Sequence, residues 1–432
     1  MAILRPFRGL FYNREVVGDI SRVIAPPYDI IDEAKKQKLQ ERSPYNIVRL
    51  ILPRDEEEKA FWNTSAAVYR AWKRGEVLLR DEAPCLYLHC QTFASPQGRI
   101  TRTGIIGALR CMELGPRGVL PHEMTFPRTR SQRLYLLRSC RANFSQVFMV
   151  FRDGEEDVRQ ALDDVTTRPP FVEFVDDEGV EHRMWRVEDT GEIVRIAGAL
   201  RAGNLIIADG HHRYETALAF SKEDPTIRDP GHPCKFVSAT LVRSQDPGLV
   251  ILPVHRVLKK LHLPLEETYR RLERYFELQV VQGNAAERRG SLAADLQREG
   301  RARFIMVTGR EIMRLVLRRG VVPAREIEGK ESRRWKELDI SILHALVLKE
   351  VMGLQPERLA ENGELSFTPW ESEALDQVSS AKASVAFLVR PTRMEDIWEI
   401  ASAGERMPHK SSYFYPKLPS GLVIYDHESA FS

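Results

Sequence analysis

The segment Leu205–Phe220, LIIADGHHRYETALAF, carries the densest set of reactive side chains in the chain. Four apolar residues deliver the backbone to Asp209, and Gly210 permits a sharp turn with close backbone approach. A helix is expected to begin at His211 or His212, with Tyr214, Ala217 and Leu218 on one face. Asp209 would cap the free amides of its first turn. Those amides, with His211, His212 and Arg213, form a place that stabilises an anion. Arg213 can grip phosphate bidentately, and either histidine can relay a proton near neutral pH. A strand–turn–helix junction also uses Asp and Gly with no ligand, but two histidines followed by arginine exceed what a plain turn requires. Adjacent histidines diverge in direction and no HExxH pattern accompanies them, so a metal role there is the weaker reading.

Further candidates are scattered. His122 and Glu123 stand in GVLPHEMTFPRTRSQRL, read as a loop after a Gly/Pro-rich connection. The pair could position a proton acceptor, and the Glu123 carboxylate could help hold Mg2+. Arg128, Arg130 and Arg133 could meet an anionic group or pair with carboxylates on the surface. Arg8 in PFRG, and Tyr28 and Asp29 in APPYD, flank segments that exclude regular helix and can hold side chains in place. Tyr28 and Asp29 are candidates for an acceptor pocket, with Asp29 equally suited to capping a helix. Asn46 and Asn143 could bind substrate or close turns. Lys410 and Ser411 offer a cation and a hydroxyl suited to phosphate oxygens, without the GxxxxGK frame of a Walker A loop. Aromatic packing could equally pin that segment down.

These residues need a scaffold. Apolar and alternating runs predict strands at Ile47–Leu52, Leu86–Phe93, Thr103–Arg110, Leu205–Ala208 and Phe236–Val242. Another strand is expected within Arg141–Phe151, ending before Asp153-Gly154. FVEFVD and HRMWRVED read as hairpin partners, as do FIMVT and IMRLVL around Gly309-Arg310-Glu311. Helical spacing covers Glu56–Gly75, Val158–Val165, Leu265–Tyr275 and Asp339–Met352. The expected fold class is α+β (mixed α/β). A mixed body spans 1–260, and a smaller α+β domain spans 261–432, with a tail that could return to the site.

The 432 residues hold 64 Lys and Arg against 61 Asp and Glu, a formal charge of +3. That balance opposes nonspecific duplex binding through counterion release and suits a small anionic ligand or nucleotide better than a nucleic acid. Five cysteines form no disulfide framework, so reduced thiols and a cytoplasmic location are expected. No membrane span or secretion signal is read from the sequence, and a homo-oligomer is compatible with it.

The blocks PFRGLFYN, RVIAPPYDII, SPYNIVRLILP, PHEMTF, RLYLLRSCRANFSQVF, IADGHHRYETAL, DPGLVILPVHRV and GERMPHKSSYFYPKLPSGL occur in this order. Through them the chain resembles the DUF1015 family of uncharacterised bacterial and archaeal proteins over nearly its full length. DGHHR also resembles the signature of the ParB/sulfiredoxin-like superfamily, whose members bind nucleotides at such a turn and include free-serine kinases. That resemblance implies a ParB/sulfiredoxin-like N-terminal body. It also implies that Asp209, Gly210, His211, His212 and Arg213 cradle the phosphates of ATP or ADP. Sulfiredoxins place a reactive cysteine where this chain has His211, so sulfinic acid reduction is not expected.

The leading expectation is therefore a nucleotide-dependent phosphotransferase acting on a small hydroxy metabolite such as free serine. Glu123, His122, His212, Arg213 and Asp29 are its catalytic candidates. Lys410 and Ser411 join DGHHR in holding the nucleotide, while Arg8, Tyr28, Asn46, Arg133 and Asn143 contact substrate. Two alternatives stay open: a nucleotide or phosphoester hydrolase, and a non-catalytic regulator that binds a nucleotide or phosphometabolite.

Overall fold

The apolar run ahead of Asp209 becomes an interior strand, as a segment with nothing to offer water must. It belongs to a mixed sheet of nine strands among the described residues. In chain order these are β1 (Leu4–Arg5), β2 (Leu86–Ser95), β3 (Gly98–Arg110), β4 (Val119–Pro121) and β5 (Val147–Phe151). The remaining four are β6 (Val172–Val175), β7 (Glu181–Val187), β8 (Leu205–Asp209) and β9 (Phe236–Arg243). Their spatial order is β4-β8-β5-β9-β3-β2-β7-β6, with β1 beside β3. β8 runs parallel to β4 and antiparallel to β5, and β5 runs parallel to β9.

The computed structural model describes residues 2–52, 58–95, 98–152, 156–200, 203–285, 287–288, 290–296, 300–428 and 430–431. The chain divides into two units. Unit 1 comprises Met1–Pro121, Thr125–Val250 and Pro416–Ser432, and unit 2 comprises His122–Met124 and Ile251–Tyr415. In unit 1, Tyr87 and Ile106 join one core while Leu86, Leu88 and Ile105 join another. This alternation is the two-residue period of strands buried on both faces. The first core is completed from far along the chain by Leu422, Val423, Ile424 and Tyr425.

Four helices of unit 1 are needed below: α1 (Glu58–Arg74), α2 (Pro127–Cys140), α3 (Glu156–Thr166) and α4 (His211–Glu223). The expected start of α1 at Glu56, and the Asp153-Gly154 stop after β5, lie outside the described residues. Both expected hairpins form, β6 with β7 and Arg303–Thr308 with Ile312–Leu317.

Two expectations fail locally. Ile47–Leu52 is not a strand; Val48–Ile51 is a short helix with Val48, Leu50 and Ile51 buried. A short apolar run fits either element, and Asn46 decides between them. Its Oδ1 accepts from the Val48 amide and turns the chain. The end of the expected loop, Arg128–Leu134, belongs instead to helix α2, opened by Pro127 at its first position.

Unit 2 is built on a six-stranded antiparallel sheet. Its strands are β10 (His255–Leu258), β11 (Phe276–Val281), β12 (Arg303–Thr308), β13 (Ile312–Leu317), β14 (Leu365–Thr368) and β15 (Val385–Leu388). Their order is β11-β13-β12-β15-β10-β14. Asp339–Ile342 continues into a wider-wound π-helix over Leu343–Val351, burying Ile340, Leu343, Leu346, Val347 and Val351 as their spacing predicts.

Candidate functional site

The ladder between β8 and β5 slips between Ile207 and Asp209, so that Asp209 pairs with Phe148. Such a bulge at a strand end re-aims the side chain that follows it. Gly210 then takes φ +92°, a left-handed conformation that favours glycine. A Cβ at this position would stand 2.9 Å from Arg213 Nε and Nη2, so glycine also leaves room for the guanidinium.

Asp209 does not cap α4, contrary to expectation. The cap position belongs to Gly210 and has no side-chain bond. The carboxylate is instead taken by two cations: Lys417 Nζ lies 2.5 Å from Oδ1 and Arg213 Nη2 lies 2.6 Å from Oδ2. Burial alone would raise this carboxyl, but Lys417 and Arg213 together hold it well below the usual carboxylate range. It is thus a partly buried anion that positions two cations, and as an anion it repels phosphate.

Arg213 Nη1 donates to the Gln146 carbonyl at 2.5 Å, while its buried Nε has no hydrogen-bond partner among the described residues. The guanidinium lines a cavity of about 50 Å3 together with Arg133, Tyr28, Asn143, Ser145 and Thr216; no carboxylate is among the lining residues. Arg133 donates to the Ile51 carbonyl and lies 4.1 Å from the Tyr28 ring centroid. Burial lowers the Arg133 pKa. Burial also pushes the Tyr28 hydroxyl up to about 12, with Asp29 adding to that and Arg133 opposing it. Water occupies roughly 30 Å3 in the liquid and pockets for whole small molecules span about 300–1,000 Å3. The cavity therefore matches one compact anionic group, not a nucleoside.

The two histidines have different surroundings. His211 is 3% exposed, and its charge acts on Asp209. His212 Nε2 accepts from the Phe126 amide at 2.9 Å, and its ring stacks on the Phe126 ring. That bond needs the Nε2 lone pair and so favours the neutral imidazole with its proton on Nδ1. On the outer faces of α2 and α4, Arg130 pairs with Glu215 and Arg138 with Glu223, whereas Arg133 turns inward.

Four residues singled out separately in the sequence, Tyr28, Arg133, Asn143 and Arg213, thus line one cavity. Asp29 is exposed, and its charge reaches Tyr28 and Arg133. Other candidates lie elsewhere. Asn46 is fully buried and spends its amide on the carbonyls of Arg22 and Ile24 and on the Val48 amide, which identifies it as a turn-holding residue. Arg8 Nε donates to the Asp81 carbonyl and does not line the cavity.

His122, Glu123, Lys410 and Ser411 belong to unit 2. There His122 Nε2 is 2.8 Å from Ser412 Oγ, Lys410 gives its carbonyl to Arg256, and Ser411 Oγ donates to the Pro408 carbonyl. Among the described residues no group of three or more His, Cys, Asp and Glu side chains is arranged to hold a metal ion.

Sequence reasoning passed over Arg102 and undervalued Lys417. Arg102 is 1% exposed on β3, reaching Gln91 Oε1 and the Pro416 carbonyl, and burial lowers its pKa to about 9. Lys417 follows an aromatic, proline-containing run, YFYPK, which fixes a lysine better than a free tail would; that was the available signal.

Fold and site together define a two-unit mixed α/β protein built around a strand–glycine–helix turn beside an arginine-lined cavity. The family model described as "Protein of unknown function (DUF1015)" matches residues 4–341, and the chain belongs to that family. No curated protein matches the sequence. Among solved structures, the chain is similar to a mutant free serine kinase in complex with ADP, at 10% identity and TM-score 0.37, over 73% of this chain and 90% of that one. It is also similar to SbnI with C-terminal truncation from Staphylococcus aureus, at 12% identity and TM-score 0.35, over 72% and 84%. A conserved hypothetical protein from Pyrococcus furiosus is similar at 11% identity and TM-score 0.33, over 73% and 93%. Among the described residues no helix is long and apolar enough to cross a membrane.

Proposed function

We propose that unit 1 seats a phosphate group between Arg133 and Arg213, and that the protein is a nucleotide-dependent phosphotransferase acting on a small hydroxy compound, with free serine the first to test. The observation carrying this reading is the cavity lined by two arginines, a phenol, an amide and two hydroxyls, with no carboxylate among them. Arginine forks suit phosphate oxygens. Phosphoryl transfer asks a protein mainly for positioning and charge stabilisation, which fixed guanidinium groups supply. The choice of a kinase over other phosphate chemistry comes from the resemblance of DGHHR to the free-serine-kinase signature. Asp29 is favoured over Glu123 to orient the acceptor hydroxyl, because its charge already acts on Tyr28 and Arg133.

The test is incubation of the full chain with ATP or ADP labelled in the terminal phosphate, against a panel of hydroxy amino acids. Label in the acceptor, lost in Arg213→Gln, is expected. Label in inorganic phosphate alone identifies a hydrolase, and nucleotide affinity without turnover identifies a regulator. Absence of nucleotide affinity would falsify the nucleotide reading altogether.

A further inference from the structure

Unit 2 contains a much larger cavity, about 930 Å3, within the range of roughly 300–1,000 Å3 typical of small-molecule sites. Its lining holds seven arginines against three carboxylates. The carboxylates are already engaged. Asp339 receives a bidentate pair from Arg390 at 2.6 and 2.8 Å, and Asp396 receives Arg393 at 3.0 Å and Arg334 as well. Glu337 is bonded by Arg333 at 2.7 Å.

Of the other four arginines in the lining, Arg301 pairs with Glu277 at 3.2 Å, which leaves Arg256, Arg318 and Arg319 without a carboxylate partner among the described residues. Arg256 is 1% exposed, and its hydrogen bonds go to neutral groups only: His344 Nε2 and the carbonyls of Val254, His409 and Lys410. Burial lowers its pKa to about 9, so it stays cationic at neutral pH. A buried charge without a counter-charge is costly, and an anion in the cavity would relieve that cost. Arg318 donates Nε to two backbone carbonyls, and Arg319 beside it is exposed. The same lining includes the apolar residues Leu338, Ile340, Val389 and Pro391.

We infer that this cavity is a second ligand site, specific for a compact organic polyanion, with phosphate or carboxylate groups on the arginines and a non-polar body against the apolar part of the lining. It stands on residues of unit 2 alone and does not depend on the phosphate reading of unit 1.

The experiment is calorimetric titration of the full chain with ADP, inorganic pyrophosphate, citrate and adenosine. An Arg213→Gln chain removes the unit 1 contribution. At least one of the three anions is expected to bind that variant at one site per chain, while adenosine, which keeps the ring and lacks the charge, gives no heat. The relative strength of ADP, pyrophosphate and citrate separates phosphate from carboxylate recognition. Adding the exposed Arg319→Glu change is expected to weaken binding about tenfold or more, the loss of one charge-assisted contact. In the otherwise unaltered chain, the same change should abolish one of two binding phases. If Arg213→Gln leaves both phases and Arg319→Glu removes one, the unit 1 reading fails and this one stands. Failure of all three anions to bind the Arg213→Gln chain, or an Arg319→Glu effect below about twofold, overturns the inference. Adenosine binding as tightly as ADP overturns it too, as does a single-stranded oligonucleotide that outcompetes every small anion.

Discussion

Replacing Asp209 with asparagine separates the two roles that the acidic start of DGHHR could play. The carboxylate holds Lys417 at 2.5 Å and Arg213 at 2.6 Å, and asparagine keeps its shape while removing the charge. Two partly buried cations then lose their negative partner, a change that costs up to about 3–5 kcal/mol. At ~2–4 °C per kcal/mol for a domain of this order, melting of the unliganded protein should fall by about 6–20 °C. The effect on anion binding has the opposite sign. A phosphate on the far edge of the Arg213 guanidinium would lie about 6 Å from Asp209, and at an effective dielectric of about 20 their repulsion is close to 3 kcal/mol. Removing it should tighten phosphate or ADP binding by roughly ten- to a hundredfold. Thermal unfolding without ligand and calorimetric titration with inorganic phosphate and with ADP measure the two quantities on one preparation. A lower melting temperature with weaker binding would refute the reasoning, since Asp209 would then contact the ligand. An unchanged melting temperature would refute the ion-pair account.

Gly210→Ala should cost about 1–2 kcal/mol for its left-handed backbone and displace Arg213 as well, so phosphate affinity should fall about tenfold. Gly353→Ala, at φ +69° with open space around it, is the control that lowers stability and leaves affinity unchanged in the same titration. Asn46→Ala should destabilise by about 2–4 kcal/mol in denaturant melts without altering phosphate affinity, because it removes only backbone-directed bonds. Burial lowers the pKa of His255 and His427 to about 3, and lowers His89 and His344 as well. An unfolded chain takes up these protons near pH 6.5 and the folded one does not, so this stability is present above pH 6.5 and lost as pH falls. The loss should approach about 2 kcal/mol per histidine by pH 5, and melting curves between pH 7 and 5 that coincide would contradict it.

The turn at Asp209-Gly210 was legible because its signals are local: a four-residue apolar run, a glycine and a helical period follow one another along the chain. Tyr28, Arg133 and Asn143 were legible as types, but only the fold places them with Arg213 around one cavity. Arg102 was not legible, since it stands just ahead of the expected Thr103–Arg110 strand, where an arginine reads as solvent-facing, yet in the fold it is 1% exposed on β3. Ile47–Leu52 failed for a related reason: full burial erases the period that separates strand from helix, and the deciding bond from Asn46 is a single side chain. Lys410 and Ser411 were legible as residue types, but that the Ser411 hydroxyl donates to the Pro408 carbonyl is visible only in the fold.

The Lys417–Asp209 pair joins residues 208 positions apart. At synthesis rates of about 5–20 residues per second, Lys417 is made roughly 10–40 s after Asp209. Throughout that interval the nascent strand–turn–helix exists without one of the two cations that hold its carboxylate, and the Tyr87 core lacks Leu422, Val423, Ile424 and Tyr425. All of unit 2 from Ile251 to Tyr415 is translated in between. A chain interrupted anywhere in that stretch would carry the DGHHR turn with Asp209 paired to Arg213 alone, one of its two cations not yet made.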